Sequence, residues 1–112
     1  MDIQVKQIDQ TAVVSIAGSI DSLTAGEVTS FLSEQIGAGY RQLVADLSQV
    51  DFMSSAGLRA ILTILKQSRQ EGGDLRLAGA QAGVEKTLKI SGFTSILKTY
   101  PTVDEAVASF GS

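Results

Sequence analysis

A chain of 112 residues is long enough to bury one core and too short for two. Hydrophobic residues make up 44% and charged residues 19%, the balance of a globular chain rather than a disordered one. With no Cys, no His and a formal charge of −3, the chain has no disulfides, thiolate metal sites or Ser-His-Asp catalysis, and its acidic surface does not attract a nucleic-acid backbone.

The first segment alternates: Ile3 and Val5 are apolar, Gln4 and Lys6 polar, which predicts a strand with one covered face. A second strand is predicted over residues 12–17, and Asp9-Gln10 between the two allows an antiparallel hairpin. Residues 18–22 read as a loop. Thr24 with Glu27 has the spacing of a capping box, and Val28, Phe31, Leu32 and Ile36 give the following helix an apolar face that ends at Gly37 and Gly39. Leu43, Val44, Ala45 and Leu47 form a nearly continuous apolar run, as in a strand buried on both faces.

A loop through Val50 and Asp51 then leads to a helix with Leu58, Ile61, Leu62 and Leu65 at i, i+3, i+4, i+7, closed by Gly72 and Gly73. Leu75, Leu77 and Ala78 predict another strand. Val84, Leu88 and Ile90 predict a short helix stopped by Gly92, and residues 96–100 a last strand. Thr102 and Glu105 form a second capping box before a final helix with Val103, Ala106, Val107 and Phe110 on its apolar face. The order β-β-α-β-α-β-α-β-α predicts an α/β fold. It is a single mixed, mostly parallel sheet of about five strands with an opening hairpin, packed with about four helices in one domain over residues 1–112. No run approaches the ~20 apolar residues of a membrane span, and residues 1–6 lack a signal-peptide pattern, so the expected location is cytoplasmic without membrane insertion.

Phosphate-binding loops are absent: Gly37-Ala38-Gly39 follows a helix, where a dinucleotide loop follows a strand. Asp46 sits late in a strand like a receiver phosphoacceptor, but the first strand supplies only Asp9 toward the acid pair that such a site needs for Mg²⁺. The informative segment is Val50-Asp51-Phe52-Met53-Ser54-Ser55-Ala56-Gly57-Leu58-Arg59. A serine before an amphipathic helix caps it by accepting a bond from a first-turn N–H, worth ~1 kcal/mol. Capping does not account for Gly57, which costs up to ~1 kcal/mol against Ala in a helix. Nor does it account for Phe52 and Met53, large apolar residues that are either a staple into the core or an exposed contact patch.

Within this segment, Asp51-Phe52-Met53-Ser54-Ser55-Ala56-Gly57-Leu58 resembles the signature of the STAS domain, the fold of anti-sigma factor antagonists of the SpoIIAA type. Gly18-Ser19-Ile20-Asp21 is similar to the family's Gly-x-Leu/Ile-Asp after the second strand. The resemblance implies a partner-switching protein that is no enzyme and needs no cofactor or metal. In its unmodified form it would bind an anti-sigma factor that is also a serine-protein kinase, freeing a sigma factor and so regulating transcription. Phosphorylation would end that interaction and a PP2C-type phosphatase would restore it. Anchored on Gly57 and Leu58, the acceptor position is Ser55, with Ser54, which stands where the family usually carries Asp, as second choice. The partner surface implied comprises Asp21, Phe52, Met53, Ser54, Ser55, Ala56, Gly57 and Leu58, with Asp21 equally readable as a turn cap. A small STAS subunit docking on the ATPase of a membrane transport complex is the alternative. As a nucleophile, Ser55 would need a Lys or carboxylate base, and the sequence places none close by.

Overall fold

The computed structural model describes residues 1–111. Its elements are β1 (Asp2–Ile8), β2 (Thr11–Ile20), α1 (Ala25–Gly37), β3 (Gln42–Met53), α2 (Ser55–Gln70), β4 (Asp74–Ala78), α3 (Ala82–Ile90), a 3₁₀ turn (Phe93–Ser95), β5 (Thr99–Tyr100) and α4 (Val103–Phe110). The five strands form one sheet in sequence order, β1-β2-β3-β4-β5. Only β1 and β2 are antiparallel; β2, β3, β4 and β5 run parallel. This is the expected mixed sheet with its opening hairpin and four helices. Asp9 takes the positive-φ position of the two-residue turn at φ 53°, a conformation that Asp tolerates better than most residues.

Two layers of side chains flank the sheet. On one face Val14, Ile16, Leu43, Ala45, Leu47, Leu75 and Leu77 pack with Val28 and Leu32 of α1, Ile61, Ile64 and Leu65 of α2, and Val84 and Leu88 of α3. On the other, Val13, Val44 and Ala78 pack with Ala106 of α4, and Val103, Val107 and Phe110 close the edge of that smaller cluster. Strands β3 and β4 are therefore buried on both faces, which is why their sequences read as near-continuous apolar runs.

Three boundaries differ from the sequence expectation. Strand β2 continues to Ile20 and β3 to Met53, through stretches that read as loops. Their pairing slips twice, between Ser15 and Ala17 and between Ala17 and Ser19, so that Ser15 faces Asp46 while Ser19 faces Phe52. The bulges change the burial period of β3 from two to three: Leu47, Val50 and Met53 are buried, and the pairs between them are exposed. A period of three is not a strand signal. At the other end, β5 spans only Thr99–Tyr100 rather than residues 96–100. Ile96 closes the 3₁₀ turn, its N–H bonded to the Phe93 carbonyl, and is exposed.

The capping box expected at Thr24 is also absent. Thr24 makes no side-chain cap to α1. Its hydroxyl instead donates to the Ser19 carbonyl at 2.7 Å and accepts the Asp21 N–H at 3.0 Å, which ties the β2–α1 connection together. Thr102 does cap α4, accepting the Glu105 N–H at 3.1 Å.

Candidate functional site: the corner between strand β3 and helix α2

The C-terminal ends of the neighbouring parallel strands β2 and β3 bring the two sequence motifs side by side. Ser19 pairs with Phe52 and Ile20 with Met53. The chain then turns into α2 without a spacer. The Ser54 N–H donates to the Ile20 carbonyl at 2.9 Å, so Ser54 still belongs to the end of the sheet while its side chain starts the helix. Its Oγ accepts the Gly57 N–H at 3.3 Å, the N-cap bond. Ser19 Oγ donates to Asp51 Oδ1 at 2.8 Å and fastens the two strand ends across the second bulge.

The two serines are thereby separated in role. Ser54 is the half-buried cap. Ser55 is the first helical residue, exposed, and its hydroxyl takes no part in the bonds that hold the corner. The first turn of α2 contains no acidic residue, whereas α1, α3 and α4 carry Glu27, Glu85 and the pair Asp104 and Glu105 in theirs. The first turn of α2 therefore brings no carboxylate of its own to the positive end of the helix dipole.

Gly57 has a steric reason. A Cβ at this position would lie 2.8 Å from the Ile20 carbonyl oxygen, 2.8 Å from Met53 Cγ and 2.9 Å from Ile20 Cγ2. Helix α2 approaches the end of β2 so closely that only a glycine fits. The corner is therefore set by Ile20, Met53 and Gly57 together, and the flanking serines are held in register by that contact.

The neighbouring Phe52 and Met53 point in opposite directions. Met53 is 3% exposed and belongs to the core, so it is a support of the corner and not part of its outer surface. Phe52 is 55% exposed. Gly57 is buried, Ala56 and Leu58 are half-buried, and Leu58 also packs against the core. Asp21 is half-buried, and its Oδ1 accepts the N–H groups of Leu23 at 2.9 Å and Thr24 at 3.2 Å, the geometry of a turn cap. By shaping this turn Asp21 presents Leu23, which is 90% exposed. Leu23 was not a sequence candidate. A lone Leu between turn residues carries no periodic signal, and only the structure shows that it belongs to the same end of the sheet as Phe52.

A surface hollow of about 670 Å³ lies elsewhere, lined by Arg69 and residues 94–100. Among the described residues no cluster of three acidic side chains is placed to hold a metal ion, and no helix is long and apolar enough to cross a membrane.

The chain is thus an α/β domain with one mixed sheet, which exposes Ser55 at a helix start and Phe52 and Leu23 at the same end of the sheet. Residues 2–106 match the STAS domain, and the chain belongs to that family. A Bordetella bronchiseptica protein, BtrV, which carries the name of an anti-sigma factor antagonist, is 34% identical over 110 residues, covering 98% of this chain and 95% of its own. An anti-sigma factor antagonist from Mycobacterium paratuberculosis has the same fold at a TM-score of 0.90 and 25% identity, covering 99% of this chain and 94% of its own. SpoIIAA in its unphosphorylated form superposes at a TM-score of 0.83 with 20% identity, over 97% and 96% of the two chains.

Proposed function

We propose that this protein is an anti-sigma factor antagonist whose partner binding is switched by phosphorylation of Ser55. The observation that carries this reading is the division of labour between the serines. Ser54 occupies the cap, so the Ser55 hydroxyl is exposed at a helix start with no acidic residue in its first turn. The names of its relatives support an anti-sigma factor as the class of partner; on this proposal that partner is also a serine kinase, and a PP2C-type phosphatase reverses the modification.

The partner surface on this reading comprises Ser55, Ala56 and Leu58, the Phe52 ring and the Leu23 side chain. Ser54, Met53, Gly57 and Asp21 hold that surface in place from behind. A phosphate adds about −1.5 to −2 charges and three acceptor oxygens. Introduced into a contact closed over Phe52 and Leu23, it would place an unpaired charge in a desolvated interface, which costs several kcal/mol. Since 1.4 kcal/mol is tenfold in affinity, one phosphate is enough to release the partner.

The test is mass spectrometry of the protein from its own cells, joined to a pull-down. A single phosphoserine at Ser55 and recovery of a kinase with only the unmodified form are expected. Ser55→Ala should bind the kinase and accept no phosphate; Ser55→Asp should bind at least about tenfold more weakly. Phosphate transfer to Ser55→Ala at the wild-type rate moves the acceptor to Ser54. Recovery of a transport ATPase with an unmodified chain overturns the switch.

A further inference from the structure

The two edges of the sheet are unlike. The β5 edge is two residues long and is followed at once by Pro101 and α4. The β1 edge is seven residues long, free of Pro, and paired to β2 in unbroken register from Asp2↔Ala17 to Ile8↔Thr11. Its far side pairs with no strand among the described residues. A long, regular edge without a bulge or proline is a template for another strand.

The hairpin fixes which backbone groups are on offer. A two-residue turn closed by Ile8 and Thr11 makes these a hydrogen-bonded pair. The alternation along the strand then points the N–H and C=O groups of the even residues Asp2, Gln4 and Lys6 at β2. Those of Ile3, Val5 and Gln7 point outward. Ile3 and Val5 are half-buried and lie on the larger core's face; Asp2, Gln4 and Lys6 are exposed on the opposite one.

We propose that β1 is the docking edge for a second copy of this chain, pairing antiparallel with its own β1 about a two-fold axis at Gln4. In that register Ile3 lies opposite the partner copy's Val5 and Val5 opposite its Ile3, and both pairs exchange the outward hydrogen bonds. On the other face Asp2 lies opposite Lys6 and Lys6 opposite Asp2, so each half of the contact carries one opposite-charge pair. Gln4 meets Gln4 on the axis. The strand is thus complementary to itself in backbone polarity, apolar side chains and charge at one register. A shift of two residues, centring the axis on Val5, places Ile3 against Gln7 and Lys6 against Gln4 and loses both matches. The occupant is a second copy and not a foreign strand because each side chain from Asp2 to Lys6 finds its complement in the same strand reversed. The resulting dimer has one continuous sheet, with the α1 and α2 layers of both copies on the same face.

Sedimentation equilibrium over a concentration series into the millimolar range tests this with the protein alone. A reversible monomer–dimer equilibrium is expected. Lys6→Asp sets Asp against Asp in both pairs and should weaken dimerisation about tenfold. The double variant Asp2→Lys, Lys6→Asp restores both pairs reversed and should recover the wild-type constant. Both side chains are exposed, so circular dichroism should show an unchanged fold. A strictly monomeric protein across the series overturns the proposal. So does a dimer whose constant ignores Lys6→Asp, or one that the charge swap fails to restore.

Discussion

Gly57 shows how much of a site can rest on an absent side chain. Its replacement by Ala would gain up to ~1 kcal/mol of helix propensity. The same methyl would meet a backbone carbonyl, Met53 and Ile20 at 2.8–2.9 Å, and overpacking of this kind costs about 1–3 kcal/mol. The steric term wins, because one of the three neighbours is backbone and cannot turn aside. Gly57→Ala is expected to lower stability by about 1–2 kcal/mol in urea denaturation. Gly26→Ala in α1, where a Cβ meets nothing within 4 Å, should raise it by about 0.4–1 kcal/mol. If both substitutions behave alike, the close approach of α2 to Ile20 is not what selects glycine. The serines divide by the same measurement. Ser54→Ala removes the N-cap bond and should cost about 1 kcal/mol, while Ser55→Ala should stay within about 0.5 kcal/mol of wild type. Equal losses would refute the assignment of the cap to Ser54.

At the scale of elements, helices α1, α2 and α4 and the buried parallel strands were legible because their periods are strong. Leu58, Ile61, Leu62 and Leu65 mark one side of α2, and all four pack on or in the core. The ends of β2 and β3 were not legible. Their bulges set Val50 and Met53 three residues apart, and Asp51, polar in sequence, is paired across the strands with Ser19. The site lies on that irregular stretch, so its residue types could be read but the opposite orientations of Phe52 and Met53 could not. The last strand failed for another reason. Ile96 and Leu97 look alike in sequence, but the 3₁₀ turn buries Leu97 to 3% and leaves Ile96 44% exposed. Helix α4 is attached through a group that its apolar face did not announce. Arg76 of β4 stacks over the Phe110 ring at 3.9 Å, pairs with Asp74 at 3.2 Å and donates to Ser109 at 2.7 Å. Its side chain is only 12% exposed, so water replaces little of what is lost on truncation. Arg76→Ala is expected to cost about 1–2 kcal/mol and to speed amide exchange in α4 before the rest of the chain. Exchange that quickens equally in α2 would mean that this cluster does not anchor α4 in particular.

For the whole molecule, the central question is whether a phosphate on Ser55 would act on the surface or on the fold. Ser55 is exposed, and the residues that hold the corner (Ile20, Met53, Ser54 and Gly57) make their contacts without it. A dianion at the first turn of a helix meets free N–H groups and the positive end of the dipole, worth about 0.3–1 kcal/mol in favour of the folded state. No carboxylate stands in that turn to repel it. On the switch proposed above, phosphorylation should therefore leave the fold intact while it abolishes partner binding. The expected change in Tm is a rise of about 1–8 °C, since 1 kcal/mol moves a domain of this size by roughly 4–8 °C. Differential scanning calorimetry of the phosphorylated and unmodified protein, with near-ultraviolet circular dichroism beside it, separates the two cases. A lowered Tm, or an altered near-ultraviolet spectrum, would place the switch in a rearrangement of the sheet end. Unchanged tertiary signals with lost binding would place it in one charge on an otherwise constant surface. The second outcome follows from the geometry, because every contact that fixes the α2 start runs through residues other than the one that would be modified.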